Sequence, residues 1–347
     1  MKGRPLMKVA VDAMGSDYAP EEIVLGAIQA ANEYQCEIVL VGDQTKIQEV
    51  LDKVNNWDHQ RISIHHASET IEMHEHPGAA VRKKKDASIV VATRLVKEGL
   101  CNAVVSAGST GAAVAAALFG LGRIPGVERP TIATPIPNLT GTTVLLDSGA
   151  NVDGKPKHLV QSAIMGSIYA QYILDIKTPR VGLLNIGEEE TKGNEQALAT
   201  YPLLKQLQTV NFIGNVEGRD IPKGTVDVVV CDGFVGNVVL KLGEGLSSVI
   251  MQLIKETVKN SGILTKLASL MVLPALKNLK RKLDYAEYGG APLLGVNGCF
   301  IICHGSSKAK AIKNAIRVAN EFTQNKVVEH IGENIAQEGV VTSASEE

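Results

Sequence analysis

Short, near-continuous runs of valine, isoleucine and leucine recur along this chain, and helical patterns come after most of them. The runs are Lys8–Asp12, Glu37–Gly42, Asn102–Ala107, Thr142–Asp147, Arg180–Gly187, Asp227–Asp232 and Cys299–Gly305. A strand with one wet face alternates apolar and polar residues, whereas one covered on both faces is apolar throughout, as in a parallel sheet flanked by helices. The intervening helices carry start signals. Pro20 is followed by Glu21 and Glu22, Asp43 precedes QTKIQEVL, and Ser88 precedes IVVATRLVKEG. The pattern predicts an α/β fold with a mostly parallel sheet. At 347 residues the chain has room for two lobes. We assign one catalytic unit to residues 7–338, with the site in the cleft between lobes. Met7 reads as a start after a short polar extension, and the ends, 1–6 and 339–347, read as flexible.

Composition narrows the function. The formal net charge is −2 and aromatics make up 4%, leaving neither a basic field nor a stacking surface for nucleic acid. The five cysteines are scattered and mostly sit inside apolar runs, where a cysteine behaves as a small hydrophobe. No secretory signal is evident, and no run of about 18 uninterrupted apolar residues suggests a membrane span. These features predict a cytoplasmic protein.

The loops that end the strands carry the chemistry. In open α/β sheets ligands bind at the carboxyl ends of the strands. There the chain places Asp12-Ala13-Met14-Gly15-Ser16-Asp17, Ser106-Ala107-Gly108-Ser109-Thr110-Gly111, Asp147-Ser148-Gly149-Ala150-Asn151, Asp232-Gly233-Phe234-Val235-Gly236-Asn237 and His304-Gly305-Ser306-Ser307. These five loops are expected to converge on one crevice. The second is the best phosphate site. Gly108 and Gly111 permit close backbone approach, while Ser106, Ser109 and Thr110 supply hydroxyls around a helix N-terminus, whose free N–H groups suit an anion. An ordinary βα turn would use the same glycines. The loop lacks the Gly-Lys-Ser/Thr ending of a P-loop and the glycine spacing of a dinucleotide fingerprint.

Asp12 and Asp17 flank a tight turn and read as cleft residues, with Asn151 and Ser306. Asp232 could cap a helix or, with Asn237, orient substrate. Lys192 is the one cation in the polar loop Gly187–Glu195 and could pair with phosphate. His304 alone among eight histidines joins a strand end to a glycine-serine turn. No metal motif and no nucleophile elbow is present. Phosphate attacking a thioester needs no protein nucleophile, and a thiolate leaves readily at a pKa near ~8.5. Such an enzyme needs positioning and an oxyanion stabiliser.

Taken in order, VDAMGSDYAP, SAGSTGA, Arg129-Pro130, LLDSGAN, NIGEEETKGNE, FIGNVEGRDI, VCDGFVGNVVLK, GGAPLLGVNG and HGSS resemble the acyl-acyl-carrier-protein:phosphate acyltransferases of bacterial phospholipid synthesis. The motifs extend from about Val9 to Ala315 and so cover nearly the whole chain. Ser16 and Ser109 depart from the family pattern, replacing a glycine and an asparagine with small polar residues. The resemblance implies that a fatty acyl group passes from acyl-carrier protein to inorganic phosphate, giving an acyl phosphate. It also implies a two-lobed fold similar to phosphotransacetylases and isocitrate/isopropylmalate dehydrogenases, a homodimer, and no metal or organic cofactor. On the chemistry above, Ser106 to Gly111 cradle phosphate, Asp232 and Asn237 orient, and His304 and Lys192 stabilise phosphate or the thioester oxyanion. The rival readings are a phosphotransacetylase acting on acyl-coenzyme A and a non-catalytic phospholigand-binding scaffold.

The segment 261–285 stands apart as an amphipathic helical stretch. Ser261 could open a helix with Leu264, Leu267, Leu270 and Met271 on its apolar side, Pro274 kinks or breaks it, and Lys277 and Lys280 flank further leucines. This pattern suits a subunit interface or a reversible membrane-surface contact, from which acyl phosphate could pass to a downstream glycerol-phosphate acyltransferase.

Overall fold

A computed structural model describes residues 6–55 and 57–344. The first lobe opens with β1 (Met7–Asp12), β2 (Cys36–Gly42), β3 (Ile62–His66), β4 (Ala103–Ser106) and β5 (Thr131–Ile132). The second lobe contributes β6 (Thr134–Pro137), β7 (Thr142–Leu146), β8 (Arg180–Asn185), β9 (Asn211–Glu217) and β10 (Val228–Val230). The chain then returns to the first lobe through β11 (Ala291–Leu294) and β12 (Cys299–Ile302). One sheet runs β3-β2-β1-β4-β12-β11-β5 and the other β6-β7-β10-β8-β9. Pairing is parallel except at one end of each sheet, where β11 is antiparallel to β12 and β5, and β6 is antiparallel to β7. The seven apolar runs all form strands. Val9, Ala10 and Val11 of β1 are buried, as the double-sided pattern requires.

The helices are α1 (Glu21–Glu33), α2 (Gln44–Asp52), α3 (Pro77–Lys83), α4 (Ser88–Lys97), α5 (Thr110–Gly120), α6 (Pro156–Ile173), α7 (Glu195–Gln206), α8 (Gly233–Asn260), α9 (Ile263–Leu283), α10 (Ala309–Gln324) and α11 (Val327–Ala344). Asp43 caps α2 as expected, accepting from the N–H groups of Thr45 and Lys46. Ser88 does not cap α4. Ala87 holds that position, and Ser88 is buried in the first turn. Nor does Ser261 open a helix. It closes α8, its hydroxyl donating to the Val258 carbonyl at 2.7 Å, while Gly262 precedes α9. Pro274 does not end α9, which continues to Leu283.

Helix α11 runs through Ala344, past the expected start of the loose tail at Gly339. Glu338, in its later turns, accepts from the Thr209 N–H and hydroxyl, which ties it to the second lobe. The expectation of flexible ends at residues 1–5 and 345–347 lies outside the described residues. Among the described residues, α8 is the one helix long and apolar enough to cross a membrane by length and composition, although Lys241 and Glu244 interrupt it with an ion pair.

The lobes share an apolar core. Val9, Ile301 and Ile316 of the first pack in one cluster with Val144, Met165 and Val181 of the second. The chain crosses between sheets at Ala133, between β5 and β6.

Candidate active site

Strand order places three of the five functional loops, those at Asp12, Ser106 and His304, side by side, because β1, β4 and β12 are adjacent. Asp12 and Ser106 are register partners at the ends of β1 and β4. The buried Ser106 hydroxyl donates to Asp12 Oδ2 at 2.7 Å and accepts from the Gly108 N–H at 3.2 Å. Asp12 also accepts from the Met14 N–H at 3.2 Å. Burial pushes its carboxyl pKa above the ordinary value, against the pull of Ser88, Ser106 and two backbone N–H groups. Gly15 makes this junction possible. A Cβ there would stand 2.6 Å from Asp12 Oδ2 and 2.9 Å from Gly108 Cα, so the two loops touch backbone to backbone. The third loop joins through the Asp17 N–H, which donates to the Gly305 carbonyl at 3.0 Å.

Helix α5 leaves this junction with an open first turn. Ser109 precedes it without a side-chain capping bond, and Thr110 and Gly111 are exposed. Its leading N–H groups therefore face the loop cluster as anion donors. Gly111 also has a packing role that its sequence does not show. A Cβ there would lie 2.6 Å from Cγ of Pro77, so this glycine lets α3 pack against α5.

His304 is exposed above the cluster. Its Nδ1 lies 2.7 Å from the Ser306 hydroxyl and accepts the Ser306 N–H at 3.2 Å. An accepting Nδ1 puts the neutral ring's proton on Nε2, which can then donate. The buried cysteines offer no nucleophile. Burial pushes Cys36 and Cys101 up to about 11 and Cys299 and Cys303 up to about 12, and holds Cys231 well above the ordinary thiol value.

The remaining two loops form a second cluster in the other lobe, so the expected five-loop crevice consists of two neighbouring sets. Asp232 caps α8, accepting from the N–H groups of Phe234 and Val235 at 2.9 Å. Asn237, in the first turn of α8, sits beside Gly149. The Asn151 carbonyl accepts from the Gly233 N–H at 2.8 Å, and its side-chain amide donates to the Pro130 carbonyl at 2.6 Å. Lys192 is exposed in the loop after β8, where its carbonyl accepts from the Asn185 amide.

Sequence reasoning passed over Asp147 as a site residue. It is buried and accepts five hydrogen bonds, from the N–H groups of Ile132, Gly149, Ala150 and Asn151 and from the Asn151 side chain. Burial raises its pKa despite these donors. Asp147 thus ties β5 of the first sheet to the Asn151 loop of the second. An Asp-Ser-Gly directly after an apolar strand was the available signal. Glu188, Glu217 and Asp220 also come within 4.8 Å of one another. Arg219 pairs with Glu217, and Lys223 lies 3.2 Å from Asp220, so cations already partner two of the three.

Together these features define a two-lobed α/β protein with an anion-receptive helix start at the carboxyl edge of a largely parallel sheet. The same fold occurs in a phosphotransacetylase from Streptococcus pyogenes (TM-score 0.64, 18% identity, 93% of this chain and 94% of that one) and in EutD phosphotransacetylase from Staphylococcus aureus (TM-score 0.62, 17% identity, 92% and 94%). Residues 7–330 match the family described as fatty acid synthesis protein. The phosphate acyltransferase of Pelotomaculum thermopropionicum is 60% identical over 329 residues, 95% of each chain, and that of Heliobacterium modesticaldum is 58% identical over 95% of this chain and 98% of its own. The chain belongs to this family of phosphate acyltransferases.

Proposed function

We propose that this phosphate acyltransferase takes a fatty acyl group from an acyl-carrier-protein thioester and transfers it to inorganic phosphate, giving an acyl phosphate for phospholipid synthesis. The observation that carries the chemistry is the open first turn of α5 beside Ser106, Asp12 and His304. Phosphate held there presents an oxyanion without activation. One phosphate oxygen forms a bond to the thioester carbonyl carbon, the carbonyl becomes a tetrahedral oxyanion, and its collapse breaks the carbon–sulfur bond and releases thiolate. His304 Nε2 donates to the developing negative charge, a role in which a fixed donor counts most. Asp12 acts through Ser106 and the loop backbone as a positioning residue. Asn237 and Asn151 orient substrate from the facing cluster, and Lys192 adds positive charge to phosphate or oxyanion.

In this reading the protein is a cytoplasmic homodimer that touches the inner membrane surface reversibly, handing acyl phosphate to a glycerol-phosphate acyltransferase. The exposed Leu242, Leu246, Val249 and Leu253 of α8 suit a subunit contact. On α9, Met271, Val272 and Lys277 are exposed and suit a lipid surface, while the side chains of Leu264, Leu267, Leu270 and Lys280 lie outside the described residues.

A hydroxylamine trap tests the donor. Acyl-carrier protein with phosphate should give acyl hydroxamate faster than acyl-coenzyme A at equal concentration. Faster reaction with acyl-coenzyme A would replace this reading with the phosphotransacetylase one.

A further inference from the structure

A second surface has the chemistry of a binding site. It is a cavity of about 620 Å³ lined by Leu118, Phe119, Arg123, Arg129, Lys155 and His158, among others. Its charge is uneven. Glu128 is the one acid among the lining residues, and its two oxygens already serve Lys157 at 2.7 Å and His158 at 3.4 Å. Arg123 donates to the backbone carbonyl of Glu128 and not to its carboxylate, while Arg129 and Lys155 are exposed. Burial holds the His158 pKa below its ordinary value, and Arg129 and Lys155 push it the same way against Glu128. Arg82 extends the basic rim, its guanidinium 4.7 Å from the centre of the Phe119 ring, and Phe119 is 49% exposed.

The cavity meets the Asn151 loop at one residue. Pro130 lines it, and the Pro130 carbonyl receives the Asn151 amide. Leu118 and Phe119 lie at the far end of α5, whose first turn holds the phosphate loop. An 11-residue helix spans roughly 16 Å at 1.5 Å per residue. A donor docked here would need an extended arm to bring its thioester to that loop. Arg123 and Arg129 come from the connection between α5 and β5 and Lys155 from the start of α6, beside the apolar Leu118 and Phe119, which suits several carboxylates on a protein surface better than a single phosphate.

We propose that this basic cavity is the docking surface for the acidic face of the carrier protein that delivers the acyl group, with Arg123, Arg129 and Lys155 reading its carboxylates and Phe119 packing at the centre. This rests on the donor assignment under Proposed function.

The test compares wild type with Arg129→Glu/Lys155→Glu. Carrier protein is titrated both with and without its thiol arm, and steady-state kinetics are run with acyl-carrier protein. Charge reversal should weaken carrier binding and raise KM for acyl-carrier protein by about 10-fold or more, with kcat recovered at saturation. Rising salt should weaken wild-type binding, and Arg129→Lys should retain it. Circular dichroism and the KM for phosphate report whether the variant is intact. If an intact double variant binds and uses carrier protein like wild type, the docking surface lies elsewhere. If only arm-bearing carrier binds, and coenzyme A competes equally, the cavity holds the arm and the proposal is overturned. Wild type that turns over acyl-coenzyme A but not acyl-carrier protein would instead defeat the donor assignment.

Discussion

At the scale of single residues, the site separates groups that act from groups that hold. His304 is exposed, and its Nδ1 engages the hydroxyl and N–H of Ser306. Asp12 and Asp147 are buried, and their oxygens are engaged by neighbouring loops. Loss of His304 should therefore cost turnover rather than fold. His304→Ala should lower kcat by roughly 10²–10³, with a melting temperature close to wild type. Normal turnover together with a large fall in melting temperature would make His304 a structural residue. The sequence marked His304, Ser106 and Asp12 because each sits where an apolar run meets glycine and serine. It could not mark Gly111 as a packing residue, because Pro77 is 34 positions away in the chain and only the packing of α3 on α5 brings them together.

At the scale of elements, legibility followed burial. The seven double-sided strands were readable from apolar content alone. The missed strands are those that lack this signature. β3, β6 and β9 lie at sheet edges and are partly wet, β5 has two residues, and β11 contains Pro292. Helix ends were readable where a side chain caps them, as at Asp43, and misread at Ser88 and Ser261, whose hydroxyls are used otherwise.

The start of β8 is held by a two-point ion pair, with Arg180 Nε and Nη2 at 2.9 and 2.8 Å from the two Asp227 oxygens. Burial raises the Asp227 pKa, but Arg180 and its N–H outweigh this and hold it below the ordinary value of 3.8. A depressed folded pKa means that the stabilisation is present above the unfolded value and lost as pH falls through the lower folded one. Arg180 is partly exposed, so the pair contributes about 1 kcal/mol or less. Arg180→Leu should lower stability at pH 7 by that amount, with the gap to wild type closing below about pH 4. A gap unchanged down to pH 2 would mean that the loss is packing and not charge.

Helix α9 carries the membrane expectation. Met271→Glu places a charge on its exposed apolar side and should weaken sedimentation with anionic liposomes, as should added salt. Wild-type protein that ignores anionic and neutral liposomes alike would remove the lipid contact.

At the scale of the whole molecule, two lobes share one core and each offers a loop cluster at the carboxyl edge of its sheet. Asp147 and Asn151 link the lobes through Ile132 and Pro130, so the second cluster is tied to the frame of the first sheet. That arrangement suits a reaction whose nucleophile is already charged and whose leaving group departs unaided, with the protein supplying position and a donor for the oxyanion. Attack by phosphate itself on the thioester is read out by stoichiometry. Purified protein is incubated with acyl-carrier protein, with and without phosphate, and the free thiol released is compared with the acyl hydroxamate trapped. Attack by phosphate gives one hydroxamate per thiol, with thiol release dependent on phosphate. Thiol release that proceeds equally without phosphate, with no hydroxamate, would show hydrolysis to a fatty acid and contradict it.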